Sequence, residues 1–599
     1  MRKHHVLNTV LATISRQQAR RFSSRVEPFS AAVIGGGITG MTAAWRLCQN
    51  PKCTKVTLYE RSPSLGGWLQ SEKVEVEGGH VVFEYGPRTI RASKTTSMPI
   101  MDLLLSLGMQ GEVLFHDKNS PAATNRFIYY PDHLVRLPGK QPGPEGKFSI
   151  LDSLSTVLRE PLFEGFLGAL VTEFCRPVPN DRQDESVASF LSRRLNNAQA
   201  VENIASAVCH GIYAGDVHKL SSDVMIPLAR LLERENGSIT EGMMRMLTAE
   251  TKTVPLNYLM AEYSVRHGRP RGHFDRIAEL LGSASVITVR DGLAGITTRF
   301  VENFKAQSKL QVITDAQINS IKLGDDSDIV VSLKNGENVV SQAFNRVIAT
   351  TPPTQLSKMI SAGYPEDSAQ RPTQTIARLN KFNYAVNVMV INLYYDQPNL
   401  VPHRGFGYLI PQSVPLEQNP ERALGVTFGS ETSDGQDTAP GTKLTVMMGG
   451  HWWDHWRESD IPTPEEAIAM SRRLLKRHLG IDETPAVARA RFQREAVPQF
   501  LVNHIPEMRR LSDAVREDFN SRLTLAGNWY GVNGIGLTSC VAQAYLAASY
   551  GVGSFPEPPG YPAIDARTKV IAMEKQVGGV PTHPSLFGTT GKKRDWVEY

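Results

Sequence analysis

Between Val33 and Trp68 the chain reads Val-Ile-Gly-Gly-Gly-Ile-Thr-Gly, then an apolar run, then Leu-Tyr-Glu-Arg-Ser-Pro-Ser-Leu-Gly-Gly-Trp. No other stretch restricts the fold so tightly. Ala31–Ile34 suits a short buried strand, Met41–Gln49 a helix, and Val56–Tyr59 a second strand closed by Glu60. Gly35, Gly37 and Gly40 stand at GxGxxG spacing between them. Gly35 permits the turn out of the strand, Gly37 lets backbone N–H groups approach a pyrophosphate, and Gly40 lets helix and strand pack closely. The helix then presents its unpaired N–H groups and positive dipole end to the anion. Glu60 lies twenty residues after Gly40, where an acid takes a ribose hydroxyl. A glycine triplet alone marks only a tight turn. With strand, helix, strand and acid around it, the segment is a dinucleotide-binding unit.

Charge and cysteine usage narrow the remaining classes. The formal charge of +5 resides in residues 1–26, which hold Arg2, Lys3, Arg16, Arg20, Arg21 and Arg25 and no acid. Removing those six leaves 59 basic residues against 60 acidic ones, so no nucleic-acid partner is indicated. That basic, Ser/Thr-containing stretch, with an apolar patch at Val6, Leu7, Val10, Leu11 and Ile14, has the composition of a mitochondrial transit peptide. Cys48, Cys53, Cys175, Cys209 and Cys540 are scattered without a CxxC pair, which argues against a disulfide framework, a zinc ribbon or an iron–sulfur site. No run approaches the roughly 18–20 apolar residues of a membrane span. Tyr384–Tyr395 alternates at Phe382, Tyr384, Val386, Val388 and Val390 and reads as a strand. His451-Trp-Trp-Asp-His455 has metal-ligand spacing but no third ligand, and reads as an amphipathic surface helix or turn, so no metal is expected.

Glu60-Arg61 followed by Leu65-Gly66-Gly67 resembles the ERxxxLGG continuation of the FAD-dependent amine oxidase superfamily. Leu523–Asn528, with the segment from Gly534 to Ala544, resembles the C-terminal flavin-contacting segment of the same proteins. The resemblance implies FAD as cofactor. It places at the cofactor Gly35, Gly36, Gly37, Ile38, Thr39 and Gly40 in the first turn, and Glu60, Arg61, Gly66, Gly67 and Trp68 after the second strand. Gly86, Pro87 and Arg88 follow, with Gly527, Gly534, Ile535 and Gly536 near the end.

The expected fold is mixed α/β (α+β): a Rossmann-like FAD-binding domain of the amine oxidase superfamily type, a mixed-sheet substrate domain and a helical, membrane-associated insertion. After a transit peptide at 1–26, the FAD domain takes 29–92, 287–359 and 490–555. Substrate-domain segments take 222–286 and 360–489, the helical membrane-associated domain 93–221, and a peripheral tail 556–599. In the helical part, Val187, Phe190, Leu191 and Leu195 share one face, and Ile150–Phe174 carries broad apolar faces on either side of Pro161. Those faces suit core helices or a membrane-interface surface. Ser413–Thr442 reads as an exposed polar excursion broken by a strand at Ala423–Phe428.

Five unlinked elements then resemble the protoporphyrinogen oxidase family, in its mitochondrial, fungal-like form. They are Glu84-Tyr-Gly-Pro-Arg-Thr-Ile-Arg91, Asn125-Arg-Phe-Ile-Tyr-Tyr130, Cys209-His-Gly-Ile-Tyr-Ala-Gly215, Gly405-Phe-Gly-Tyr-Leu-Ile-Pro411 and Val446-Met-Met-Gly-Gly450. The resemblance implies a six-electron oxidation of protoporphyrinogen IX to protoporphyrin IX by O2, with release of hydrogen peroxide. It implies the mitochondrial inner membrane surface as location, peripheral or monotopic, with a homodimer and a ferrochelatase contact as partners. It places Arg126 at a propionate, Gly211 and Ala214 in a narrow wall, and Phe406, Gly407, Leu409, Thr427 and Met447 along the substrate. No catalytic acid–base pair emerges, and His210 reads as structural. Two rival readings share the FAD motifs: another amine oxidase or desaturase, and a flavin- or porphyrin-binding carrier without turnover.

Overall fold

In a computed structural model, residues 27–93, 96–139, 150–178, 183–248, 273–336, 338–531 and 535–550 are described. The transit-peptide segment, the tail and Gly534 lie outside them.

Short apolar runs with no polar alternation demand burial on both faces, and five of them form a wholly parallel sheet. Its order is Leu310–Ile313, Cys53–Tyr59, Phe29–Ile34, Arg346–Ala349, Leu523–Leu525. Alternate side chains separate cleanly. Ala31, Val33, Val56 and Leu58 enter a core with Met41, Phe300 and Val541, whereas Ala32, Ile34, Val347 and Ala349 enter a second core with Leu356, Met508 and Leu511. In chain order the strands run three, two, one, four, five. The winding therefore reverses between Phe29–Ile34 and Arg346–Ala349, and the crevice beyond their carboxyl ends is where such sheets bind ligands.

A seven-stranded mixed sheet is built around Ala385–Tyr395, which pairs with Thr442–Gly449 on one side and Val487–Pro498 on the other. Met389, Ile391 and Leu393 face the helix Pro464–Leu479; Val386, Val388 and Val390 face the hairpin strand Gly79–Glu84. The helix has legible ends: Thr463 and Glu466 form a capping box, Pro464 opens the first turn, and Gly480 closes it at φ +72°.

Two sequence expectations differ from the fold. The 93–221 block is not helical throughout. Phe127–Tyr129 pairs with Gly407–Leu409, and Leu134–Arg136 forms the sheet edge beside it. Val113–Asp117 pairs with Ala284–Val289. These strands are too short to show a period in sequence and exist through distant partners. Ser413–Thr442 is exposed only in part: Pro415–Glu417 and Asp434 are exposed, but Asn419, Glu421, Gln436 and Thr442 are buried, with hydrogen bonds that include Arg477 on Glu421 and Gln436 on the Val289 carbonyl. Polar composition misleads wherever buried polar side chains find remote partners. His451 belongs to the short 3-10 turn Gly450–Trp453, the turn rather than the helix of the two expected forms, with Trp453 in the core and His451 half-buried.

Helices continue past residue 221, with Pro227–Asn236 and Ile239–Thr248 packed beside Val187–Leu195. A fully buried ion pair joins them. Arg194 Nε donates to Glu173 at 2.7 Å, and its Nη groups donate to the carbonyls of Arg176 and Gly237. Glu173 also accepts from Ser238 Oγ and from the Ile239 and Thr240 N–H groups. Burial alone would raise its pKa; these donors reverse that and hold it at about 2. Arg194→Met strands a buried carboxylate and is expected to destabilise by about 3–5 kcal/mol, read as a clear fall in thermal midpoint. Arg494→Ala, which breaks the exposed pair with Glu458, should leave that midpoint in place.

Candidate cofactor and substrate site

The first glycine turn occupies the reversal point of the parallel sheet. Gly35 adopts φ +105°, and its N–H donates to the Tyr59 carbonyl at 2.8 Å. A Cβ on Gly40 would lie 1.8 Å from the Gly35 carbonyl oxygen, so the helix Ile38–Cys48 can approach the strand only with glycine there. Gly37 caps this helix, and no atom lies within 4 Å of where its Cβ would stand. Glu60 accepts from the Gly36 N–H at 2.6 Å and the Ser62 N–H at 2.8 Å, which leaves each carboxylate oxygen a lone pair for a ribose hydroxyl.

The second glycine pair joins the same floor. Gly66 N–H donates to the Gly36 carbonyl, and Gly67 stands over Gly37. Gly86 lies against the Trp68 carbonyl, so the Gly86-Pro87-Arg88 segment lies directly behind the second pair. Arg61 and Trp68 are exposed, and Ile38 and Pro87 are half-buried. Thr39 meets the chain's far end, 3.5 Å from where a Gly527 Cβ would lie. Gly527 N–H donates to Gln543, and Gly536 N–H to Asn528. Ile535 is half-buried beside Gly536. The described cofactor positions thus converge from both ends of the chain.

These residues fit FAD. The open side of Gly37 at a helix N-terminus suits a pyrophosphate. Farther along, Arg88 Nε and Nη2 are buried without a hydrogen bond, while its Nη1 reaches Met447 Sδ at 3.3 Å. Thr297 Oγ1, beside Gly66, and Thr351 Oγ1, which follows Arg346–Ala349 and its neighbour Thr350, are likewise buried without partners. Unspent donors along one crevice are what a polar cofactor satisfies. Burial lowers the Arg88 pKa to about 10, against the opposing pull of Glu84. Glu84 itself accepts from Ser71 Oγ and the Leu293 N–H, and burial raises its pKa to about 7. Its carboxyl ties the Arg88 segment to the helix Ala294–Phe304. The sequence alone assigns Glu84 no role, because its Leu293 partner lies 209 residues away.

The residues expected at the substrate gather on and against neighbouring strands of the mixed sheet. Gly407 pairs with Thr427, and Gly425, the partner of Leu409, pairs with Met447. A Cβ on Gly211 would stand 2.0 Å from Leu409 Cδ2, so helix Ser206–Tyr213 lies directly on that strand. Ala214 ends this helix at φ +51° and receives the His451 N–H on its carbonyl. The Arg126 guanidinium lies 4.6 Å from the centre of the Phe406 ring and has no hydrogen-bond or ion-pair partner among the described residues. Desolvation, then the nearby Arg91 charge, lowers its pKa. An apolar strip therefore runs from Arg126 through Phe406, Leu409 and Met447 to Arg88.

Behind the strip, His210 Nδ1 donates to the Ile410 carbonyl at 2.7 Å, so its neutral Nε2 accepts from His451 Nε2 at 2.7 Å. Burial, then His451, lowers the His210 pKa to about 3. Sequence reading missed this pair, since the partners lie 241 residues apart. Among the described residues no group of three His, Cys, Asp or Glu side chains forms a metal site.

The family described as flavin containing amine oxidoreductase matches residues 38–550 of this chain. The chain therefore belongs to that family and is a flavoprotein oxidoreductase that uses FAD. Its curated relatives include protoporphyrinogen oxidases from Schizosaccharomyces pombe (31% identity, 87% of this chain and 98% of the relative) and Homo sapiens (28%, 88% and 99%). Within the family it is a protoporphyrinogen-oxidase-type chain. Solved structures with the same fold include one from Exiguobacterium sp. 255-15 (TM-score 0.62, 18% identity, 88% of this chain and 98% of that one). Another is cyclohexylamine oxidase from Brevibacterium oxydans IH-35A (TM-score 0.54, 15%, 87% and 98%).

Gly40→Ala should give a folded protein with flavin content well below wild type, measured as the absorbance ratio of flavin to protein. Full occupancy would contradict the packing argument. Buried neutral histidines also predict acid sensitivity. His210, with a pKa of about 3, and His478 and His504, with pKa values of about 4, are all lowered first by burial. They are neutral in the fold and become charged on unfolding below about pH 6.5. Stability they contribute is complete above that pH and declines as pH falls, by about 2 kcal/mol per histidine at pH 5. Urea midpoints from pH 7.5 to 5 measure the slope.

Proposed function

We propose that this chain oxidises protoporphyrinogen IX to protoporphyrin IX, the penultimate step of haem synthesis, with O2 as final oxidant. The observation that carries the reading is an unpartnered arginine at one end of an apolar strip whose other end is Arg88 and the glycine floor. Bound FAD would supply the redox chemistry, a two-electron oxidation of the substrate repeated three times, with O2 as final oxidant and hydrogen peroxide as its product.

The chain's own residues bind and orient. The substrate is an apolar macrocycle bearing two propionates. Arg126 pairs a propionate through its planar fork, and stacking on Phe406 fixes that fork. Phe406, Leu409 and Met447 cover the ring system, and Thr427 adds one polar edge. Gly211 allows the helix Ser206–Tyr213 to close against Leu409, and Ala214 lies against Gly450, which narrows the recess towards the cofactor. Protons released from the macrocycle pass to water. His210 is sealed between Ile410 and His451 and holds the wall in place. An amine substrate fits less well, because an unpaired guanidinium repels an ammonium group.

The same reading locates the protein on the mitochondrial inner membrane, peripheral or monotopic. Exposed Leu154, Leu158, Leu167, Val171 and Phe174 on neighbouring helices support an interfacial face. No described helix is long and apolar enough to cross a membrane. A homodimer and a ferrochelatase contact for handing on the product belong to this reading as well.

Porphyrin fluorescence and peroxide should grow together when protoporphyrinogen IX meets the holoenzyme in air, and amines should give neither. Arg126→Ala should raise KM by roughly tenfold to a hundredfold, the worth of one charge-assisted pair, with flavin content unchanged. Loss of flavin at constant KM would contradict the assignment. Leu158→Asp with Val171→Asp should reduce co-sedimentation with anionic phosphatidylcholine/phosphatidylserine vesicles and leave turnover in detergent intact.

A further inference from the structure

Arg126 is held from the residue before it. Asn125 closes the short helical turn Pro121–Thr124, its N–H donating to the Pro121 carbonyl at 2.8 Å, and the strand Phe127–Tyr129 begins two residues on. Its side-chain amide spans two other segments. Nδ2 donates to the Arg404 carbonyl at 2.7 Å, and Oδ1 accepts from Arg136 Nε at 2.9 Å. A carbonyl only accepts and a guanidinium only donates, so the partners fix the amide in one orientation. The Asn125 main-chain carbonyl accepts from the Phe406 N–H at 3.1 Å. Asn125 therefore grips Arg404–Phe406 at both ends, by side chain at the first residue and by main chain at the last.

The grip depends on close approach. A Cβ on Gly405 would stand 2.7 Å from Phe127 Cε2 and 2.9 Å from the Asn125 carbonyl oxygen, so glycine is what lets the two segments meet. Strand pairing between them starts only at Phe127 and Tyr408; ahead of it the Asn125 bonds make the joint. Each side is also tied down elsewhere. The Arg126 carbonyl accepts from the Leu137 N–H at 2.8 Å, the Phe406 carbonyl accepts from the Phe428 N–H at 3.0 Å, and Arg404 Nε donates to Glu431 at 2.7 Å. Arg126 stands on this joint with an exposed side chain, its guanidinium 4.6 Å from the centre of the Phe406 ring. An exposed arginine has many rotamers, and a bidentate pair with a carboxylate needs one of them. Stacking on Phe406 selects that one only while the two backbones keep a fixed separation.

We propose that Asn125 is a positioning residue for anion recognition in this pocket: by clasping Arg404–Phe406 it sets the Phe406 ring beneath the Arg126 guanidinium and so presents that guanidinium, already aimed, to a substrate carboxylate. The inference rests on the pocket reading above and deepens it. Asn125 acts through Arg126 and leaves the apolar contacts of the macrocycle alone. Its amide is the feature that matters. Aspartate has the same shape but no donor, so Asn125→Asp would set a carboxylate oxygen against the Arg404 carbonyl and bring a negative charge beside Arg126.

The test is a double-mutant cycle on the holoenzyme: wild type, Asn125→Ala, Arg126→Ala and the double variant, each checked for flavin content and thermal midpoint. Protoporphyrinogen IX and its dimethyl ester are the substrates. Asn125→Ala should raise KM for the diacid about tenfold, lower kcat far less, and change KM for the ester little. In the Arg126→Ala background the same change should add less than about twofold, because the group it acts through is gone. Asn125→Asp should match Asn125→Ala on the diacid or exceed it. A full effect in both backgrounds, equal effects on diacid and ester, a diacid KM near wild type, or a loss of flavin that accounts for the lost affinity would overturn the clasp. Fluorescence titration with protoporphyrin IX in the dark separates this from the catalytic reading. Porphyrin affinity that falls non-additively in the cycle, in a protein without turnover, keeps the clasp and discards the oxidase; turnover with Asn125-independent affinity does the reverse.

Discussion

The contact between Gly40 and the Gly35 carbonyl sets the geometry of the molecule. It brings a helix N-terminus against the end of the central strand at the point where the sheet reverses its winding. Everything that meets the cofactor is organised around that point. Gly66 docks on Gly36, Trp68 on Gly86, and Thr39 faces Gly527 from the far end of the chain. A side chain at Gly40 would push the helix off the strand and remove the floor on which these later contacts stand.

The mixed sheet adds selectivity to that floor. Its strands are short near the glycine floor, and they place an apolar strip between a half-buried arginine and an exposed one. Arg88 is held behind the floor, beside Glu84 and with donors unspent. Arg126 stands over Phe406 at the other end. An apolar surface with a cation at its end and a redox cofactor at its base suits a large apolar anion better than a small amine. The buried His210, bonded to His451, is well placed to stiffen the wall without joining the chemistry, since both of its ring nitrogens are spent on protein partners.

Much of the cofactor floor was legible in the sequence because its constraints are local. A glycine at a fixed offset from a strand, and an acid twenty residues on, follow from covalent geometry and need no distant partner. The mixed sheet was visible at Tyr384–Tyr395, where alternation is long enough to read. The strands Phe127–Tyr129 and Leu134–Arg136 were not, because three residues carry no period. Burial of Glu421 and Gln436 was hidden for another reason: polar residues look exposed until their partners, Arg477 and the Val289 carbonyl, are known. The same limit concealed Glu84 and the histidine pair. The Arg126 role came from a family resemblance, and its isolation above Phe406 became visible only in three dimensions.

Anaerobic titration of the FAD-loaded protein with protoporphyrinogen IX tests the central claim most directly. The account predicts that the oxidised flavin band bleaches, with about three flavins reduced per macrocycle, and that porphyrin fluorescence appears in step. A flavin band that stays oxidised in the presence of saturating macrocycle would contradict it, leaving the fold intact and the function wrong.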